Sequence, residues 1–140
     1  MRPDVTEQLD GLREILERVV VPLVADPYPA DVLDGVLATL ELLVDAAPLV
    51  PTFLRWDSEG TVEVLRLAGV TAPAPPDDLL EPGALDAHHR EVRRLLEDSM
   101  PLVLAHDDAR AAAIAHIRER AARYPLATRP RGGFVAHPAR

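Results

Sequence analysis

The sequence predicts an all-α protein, a single-domain bundle of about five helices in which proline bends several. Three observations carry that reading. Apolar residues recur at three- and four-residue steps through most of the chain. No segment alternates with period two over a useful length. The composition, 48% apolar in 140 residues, suffices for one ordinary core.

The first helix is expected from about Asp4 to Ala25, because Val5, Leu9, Leu12, Leu16, Val19 and Leu23 hold the helical step without a miss. Asp26-Pro27-Tyr28-Pro29 is read as a break, with a second helix from about Ala30 to Ala47. The region Pro48 to Gly69 carries Phe53, Leu54, Trp56, Val64, Leu65 and Ala68, and Asp57-Ser58-Glu59-Gly60 offers a point of division into a short helix and a longer one. Val70 to Pro82 is proline-rich and reads as an extended connection. A fourth helix, about Gly83 to His106, carries the stripe Leu85, His89, Val92, Leu96, Ser99 and Val103. Asp107 or Asp108 caps a fifth helix with Ile114, Ile117, Ala121 and Tyr124. The bundle domain is therefore placed at 1–125, and 126–140 is read as a flexible, Arg-rich tail. Pro22, Pro48 and Pro101 are each followed by Leu-Val, and bends are expected at Pro22 and Pro101. If the three bends fall in register, they enclose a shared cavity; the alternative is chance in a chain with 14 Pro.

Absent residues exclude much chemistry. Without cysteine there is no disulfide, thiolate nucleophile or Cys-ligated metal, and without lysine no Schiff base or phosphate-loop lysine. Lys, Asn, Ile and Phe share A/T-rich codons, so a genome of high G+C content explains their scarcity without any functional cause. The longest uncharged apolar run, Val19 to Ala25, is short of the ~20 residues of a membrane span. No signal core is seen either, and the expectation is a cytoplasmic protein without membrane association.

No catalytic constellation is visible. No Glu has a His three residues later, so the paired Glu-x-x-His of di-iron bundles is missing. His89, with Asp86, is the residue best placed to ligate a metal; the ordinary reading is a core-edge histidine bonded to a neighbouring helix, and no metal or cofactor is expected. His88 and His106 are expected to face solvent. The only serines are Ser58, read as a helix cap, and Ser99. Trp56, beside Arg55, is either an interface anchor or a partly buried core residue.

Charge is the feature above background. The chain is acidic, net −8, yet unevenly so: residues 1–89 sum to −12 and residues 90–140 to +4. Between Ala25 and Arg55 there is no basic residue, whereas Arg110 to Arg140 holds seven Arg and one Glu. The basic end is expected to lie along the acidic second helix, to pair with another protomer, or to grip an anionic partner such as a coenzyme A phosphate. Nucleic acid is not an expected partner, because the whole chain is acidic and no basic stripe interleaves with aromatics.

Leu12 to Leu23, and His116 to Arg120 leading into Tyr124-Pro125, resemble the opening and closing helices of a family of small all-helical bacterial proteins of unknown function. Members are encoded beside acyl-CoA dehydrogenases and aminoglycoside-phosphotransferase-like kinases. The resemblance implies an accessory role in acyl-CoA-linked metabolism and brings no catalytic residues. The function expected is thus that of a non-catalytic accessory or protein-interaction bundle, with Arg55, Trp56, Arg93, Arg94 and Arg118 contacting a partner protein, a second copy or a ligand. A second reading is a bundle binding a small acyl-CoA-like ligand at the proline bends, with Arg93, Arg94 or Arg118 on its phosphates. A third is a metalloenzyme using His89 with Asp86 or a carboxylate of the second helix.

Overall fold

A computed structural model describes residues 4–77 and 81–126. The protein is all-α, with no strand among the described residues, as the periodicity predicts. The chain is described as two compact units, Met1–Val50 and Pro51–Arg140. The expected tail, apart from Leu126, lies outside the described residues.

In the first unit, α1 (Val5–Ile15) starts at a reciprocal cap. Asp4 Oδ1 accepts from the Glu7 N–H at 2.8 Å, and the Asp4 N–H donates to Glu7 Oε2 at 3.0 Å. The helix then turns irregular, π-helical over Leu16–Val20 and 3₁₀ over Val21–Leu23. The cause is at hand in Pro22, which withholds the N–H that the Arg18 carbonyl would accept. The next helix, α2 (Pro27–Ala46), starts earlier than the sequence predicts. Asp26 caps it, accepting from the Tyr28 N–H at 3.1 Å, and both prolines fall in the first turn, where no intrahelical N–H is needed. The pair that reads as a break is a start signal.

α1 and α2 pack against each other, yet only Leu40 and Ala46 are buried between residues 4 and 50. Leu12 is 47% exposed, Val19 57%, Leu23 79% and Val36 43%. A 3₁₀ turn at Ala47–Leu49, carrying Pro48, precedes α3 (Val50–Leu67). Helical structure from Pro27 to Leu67 contains one stretch that is long and apolar enough, by length and composition only, to cross a membrane. The search for uncharged runs passes over it because scattered acidic residues interrupt those runs. Core helices of soluble proteins meet the same criterion.

In the second unit, α3 runs unbroken through Asp57-Ser58-Glu59-Gly60, so this is neither a division nor a cap. Asp57, Ser58 and Thr61 are buried, and Thr61 Oγ1 donates to the Asp57 carbonyl at 2.7 Å. The helix closes at Gly69, whose φ of +76° is one that glycine adopts without strain, with the Val70 N–H returning to the Leu65 carbonyl at 2.9 Å. The expected fourth helix is two, α4 (Pro82–Asp98) and α5 (Met100–Ala105), parted at Ser99. Pro101 explains the break, since it has no N–H to give the Glu97 carbonyl in helical register, and the Ser99 N–H turns back to that carbonyl instead. α6 (Asp107–Arg123) follows, with Asp107 and Asp108 in its first turn, where acids favour the helix N-terminus. The core joins Val64, Leu65 and Ala68 of α3 to Val92 and Leu96 of α4, with Val103 of α5 and Ala109 and Ala113 of α6 closing it.

Candidate functional site

α3, α4 and α6 meet at the Asp57 carboxylate, which is wholly buried. From α4, His89 Nε2 lies 2.7 Å from Oδ2. From α6, one turn apart on a single face, come His116 Nε2, 2.9 Å from Oδ1, and Arg120 Nε, 3.0 Å from Oδ2. A carboxylate only accepts, so each imidazole presents Nε2–H to it, and the tautomers follow from that rule. Burial alone would raise the Asp57 carboxyl. Hydrogen bonds from His89 and Arg120, with the charges of Arg120 and Arg93, outweigh burial and hold it well below the usual carboxylate range.

Aromatic rings surround the cluster. The His116 ring lies 4.9 Å from the Trp56 ring, and the Arg123 guanidinium sits 4.6 Å from the centre of the same indole. Arg120 passes over Phe53, which meets Tyr124 edge-on at 5.5 Å. Gly60 makes the approach possible, because a Cβ there would fall 2.2 Å from His116 Cε1. The arrangement orients two imidazoles and one guanidinium around a fixed negative charge. No hydroxyl is bonded to either imidazole among the described residues, so no nucleophile–base pair is formed.

The residues singled out in the sequence scatter around this centre. Trp56 packs on His116 and Arg123, half-buried. Arg93 is half-buried near Asp57, and one of its guanidinium nitrogens is buried without a partner among the described residues. Arg94 and Arg118 are exposed. His89 is not paired with Asp86, which instead bonds Arg90; it reaches Asp57 on a neighbouring helix. Among the described residues no group of three His, Cys, Asp or Glu side chains is arranged to hold a metal ion. His106 is exposed, but His88 is buried at 8% exposure, against expectation, because it turns toward a cavity beside α3.

That cavity holds about 210 Å³ and is partly open to solvent. From α3, Arg55, Ser58, Glu59 and Val62 line it, one face at helical spacing. The proline connection adds Pro73 and Pro75, and α4 adds Leu85 and His88. Neither Pro101 nor any of Arg93, Arg94 and Arg118 lines it, so it is not the phosphate-binding cavity pictured from the sequence.

Compared with protein-family models, curated proteins and solved structures, the chain matches none.

The Asp57 cluster was not legible in the sequence, because the partners of Asp57, His89, His116 and Arg120, stand 32, 59 and 63 residues away from it. One local signal existed. Phe53, Asp57 and Gly60 share a helix face, as do His116 and Arg120, and a glycine one turn after a buried acid marks a close approach.

Proposed function

We propose that the protein is a non-catalytic accessory module that works by holding a second polypeptide on its N-terminal helical hairpin, and that this polypeptide is a second copy of the same chain. One observation carries the reading: between residues 4 and 50 only Leu40 and Ala46 are buried, while Leu12, Val19, Leu23 and Val36 face outward. An apolar stripe of this kind on a surface is the mark of an interaction site. The charge pattern favours a self-partner. The hairpin's second helix carries Asp31, Asp34, Glu41 and Asp45 and no basic residue, whereas α6 exposes Ile114 and Ile117 beside Arg110 and Arg118. In a two-fold dimer each acidic apolar face meets a basic apolar one twice over. An anionic bilayer is a poorer occupant, since membrane-surface helices present Lys and Arg on the polar face and α2 presents only acids. The resemblance of residues 12–23 and 116–125 supports acyl-CoA-linked metabolism as the setting.

Sedimentation velocity of the full chain over roughly a hundredfold range of concentration tests the reading. The expected result is a monomer–dimer equilibrium that weakens with salt and is lost in Leu12→Glu and Val36→Glu, both exposed and so compatible with folding. A monomer throughout, or variants that dimerise as well as the parent, would overturn it.

A further inference from the structure

The cavity beside α3 is unlike an incidental packing gap in how its polar groups are left. The Ser58 hydroxyl is buried, at 3% residue exposure, with no hydrogen-bond partner. His88, also buried, lines the same cavity, and Arg55 and Glu59 line it from solvent-exposed positions. Buried polar groups in folded proteins are almost always satisfied, so an unpaired buried hydroxyl on the wall of a concavity, beside a buried imidazole, is a feature that folding alone does not require. The remaining wall is apolar: Val62, Leu85 and the two proline rings. An apolar wall with a few convergent polar groups is the pattern of a small-molecule site.

We infer that this cavity binds a small apolar carboxylic acid bearing an adjacent donor group, an α-amino or α-hydroxy acid with a branched aliphatic body. Size sets the first limit. A volume near 210 Å³ lies below the roughly 300–1,000 Å³ of drug-sized ligand pockets and suits a small molecule. Charge sets the second. Arg55 supplies a cation for a carboxylate, but Glu59 stands one turn away and repels a bare anion. A head carrying an acceptor for Arg55 together with an N–H or O–H for Glu59 satisfies both. Ser58, as donor or acceptor, then gains the partner it lacks, and the aliphatic body covers Val62 and Leu85.

The test is an amide-resolved NMR titration of the full-length protein with L-leucine, 2-hydroxy-4-methylpentanoate, 4-methylpentanoate (acid without the donor) and isoamylamine (amine without the acid). Expected are saturable shifts at the Ser58, Val62 and Leu85 amides for leucine or the hydroxy acid, whichever is the stronger naming the donor. Binding of the two truncated probes is expected to be at least about tenfold weaker. Arg55→Gln, at an exposed position that leaves the fold intact, weakens binding at least about tenfold, and Val62→Trp fills the cavity and abolishes it. No saturable shift up to about 10 mM with any probe would overturn the inference, as would unchanged binding in Arg55→Gln. Equal binding of 4-methylpentanoate would overturn the role given to Glu59.

Discussion

Replacing Asp57 by alanine is the most informative perturbation of this molecule. The carboxylate is wholly buried and accepts from His89 at 2.7 Å, His116 at 2.9 Å and Arg120 at 3.0 Å, so its loss strands three donors at once. Breaking a buried ion pair by removing one partner costs about 3–5 kcal/mol, much of it the desolvation of the charge left behind. Arg120 keeps 32% of its side chain exposed and can turn to water, whereas His89 at 12% and His116 at 9% have less recourse. That places the loss near the lower bound, about 3 kcal/mol, against a total stability of order 5–15 kcal/mol. Urea unfolding followed by fluorescence measures it, because Trp56 is the only tryptophan and packs on His116, so the signal reports the Pro51–Arg140 unit. In heat, the same loss lowers the unfolding temperature by about 12–24 °C for a unit of this size. A change smaller than about 0.5 kcal/mol would refute the reasoning, since it would show the carboxylate to be no more than a surface charge.

Other outcomes follow from the same geometry. The Asp57 carboxyl is held below its ordinary value of 3.8, so its contribution is fully present above that value and is lost as pH falls toward the depressed folded value; urea midpoints of the parent and Asp57→Asn should converge below about pH 4 and stay apart at neutral pH. Gly60→Ala should destabilise by about 1–3 kcal/mol, because the new methyl would sit 2.2 Å from a ring pinned by Trp56 and Asp57, whereas Gly35→Ala, with nothing within 4 Å, should stabilise by about 0.5–1 kcal/mol through helix propensity; urea midpoints separate the two. Asp4→Ala removes the side-chain half of the α1 cap, the acceptor for the Glu7 N–H, and should cost about 1 kcal/mol of local stability, read as faster amide exchange over Val5–Ile15.

What the sequence made legible was periodic or local. Val92, Leu96 and Val103 of one stripe and Val64, Leu65 and Ala68 of another are in the core, and prolines 22, 48 and 101 mark irregular or broken helix. Boundaries failed where one residue serves opposite ends of a helix: Pro27 and Pro29 interrupt a helix interior but suit a first turn, and only the Asp26 cap tells which. Ser58 looked like cap chemistry because serine beside an acid usually is, and a buried mid-helix acid such as Asp57 is tolerated only when donors reach it. Those donors come from α4 and α6, and the shared face of Asp57 and Gly60 hints at a close approach without saying which helix supplies it. His88 and His89 are neighbours in sequence on different faces of α4, one toward the cavity and the other toward the carboxylate, a distinction fixed by what packs opposite rather than by the helix itself.

The long reach of the Asp57 bonds also sets an order of events during synthesis. Arg120 lies 63 residues after the acid it binds, a delay of roughly 3–13 s at 5–20 residues per second. For that interval the N-terminal hairpin can already be formed while α3 still lacks the donors that secure it. The nascent hairpin is therefore exposed before α6, the face proposed to meet it in a second copy, has been made, so pairing by that scheme waits until residues 107–123 are synthesised.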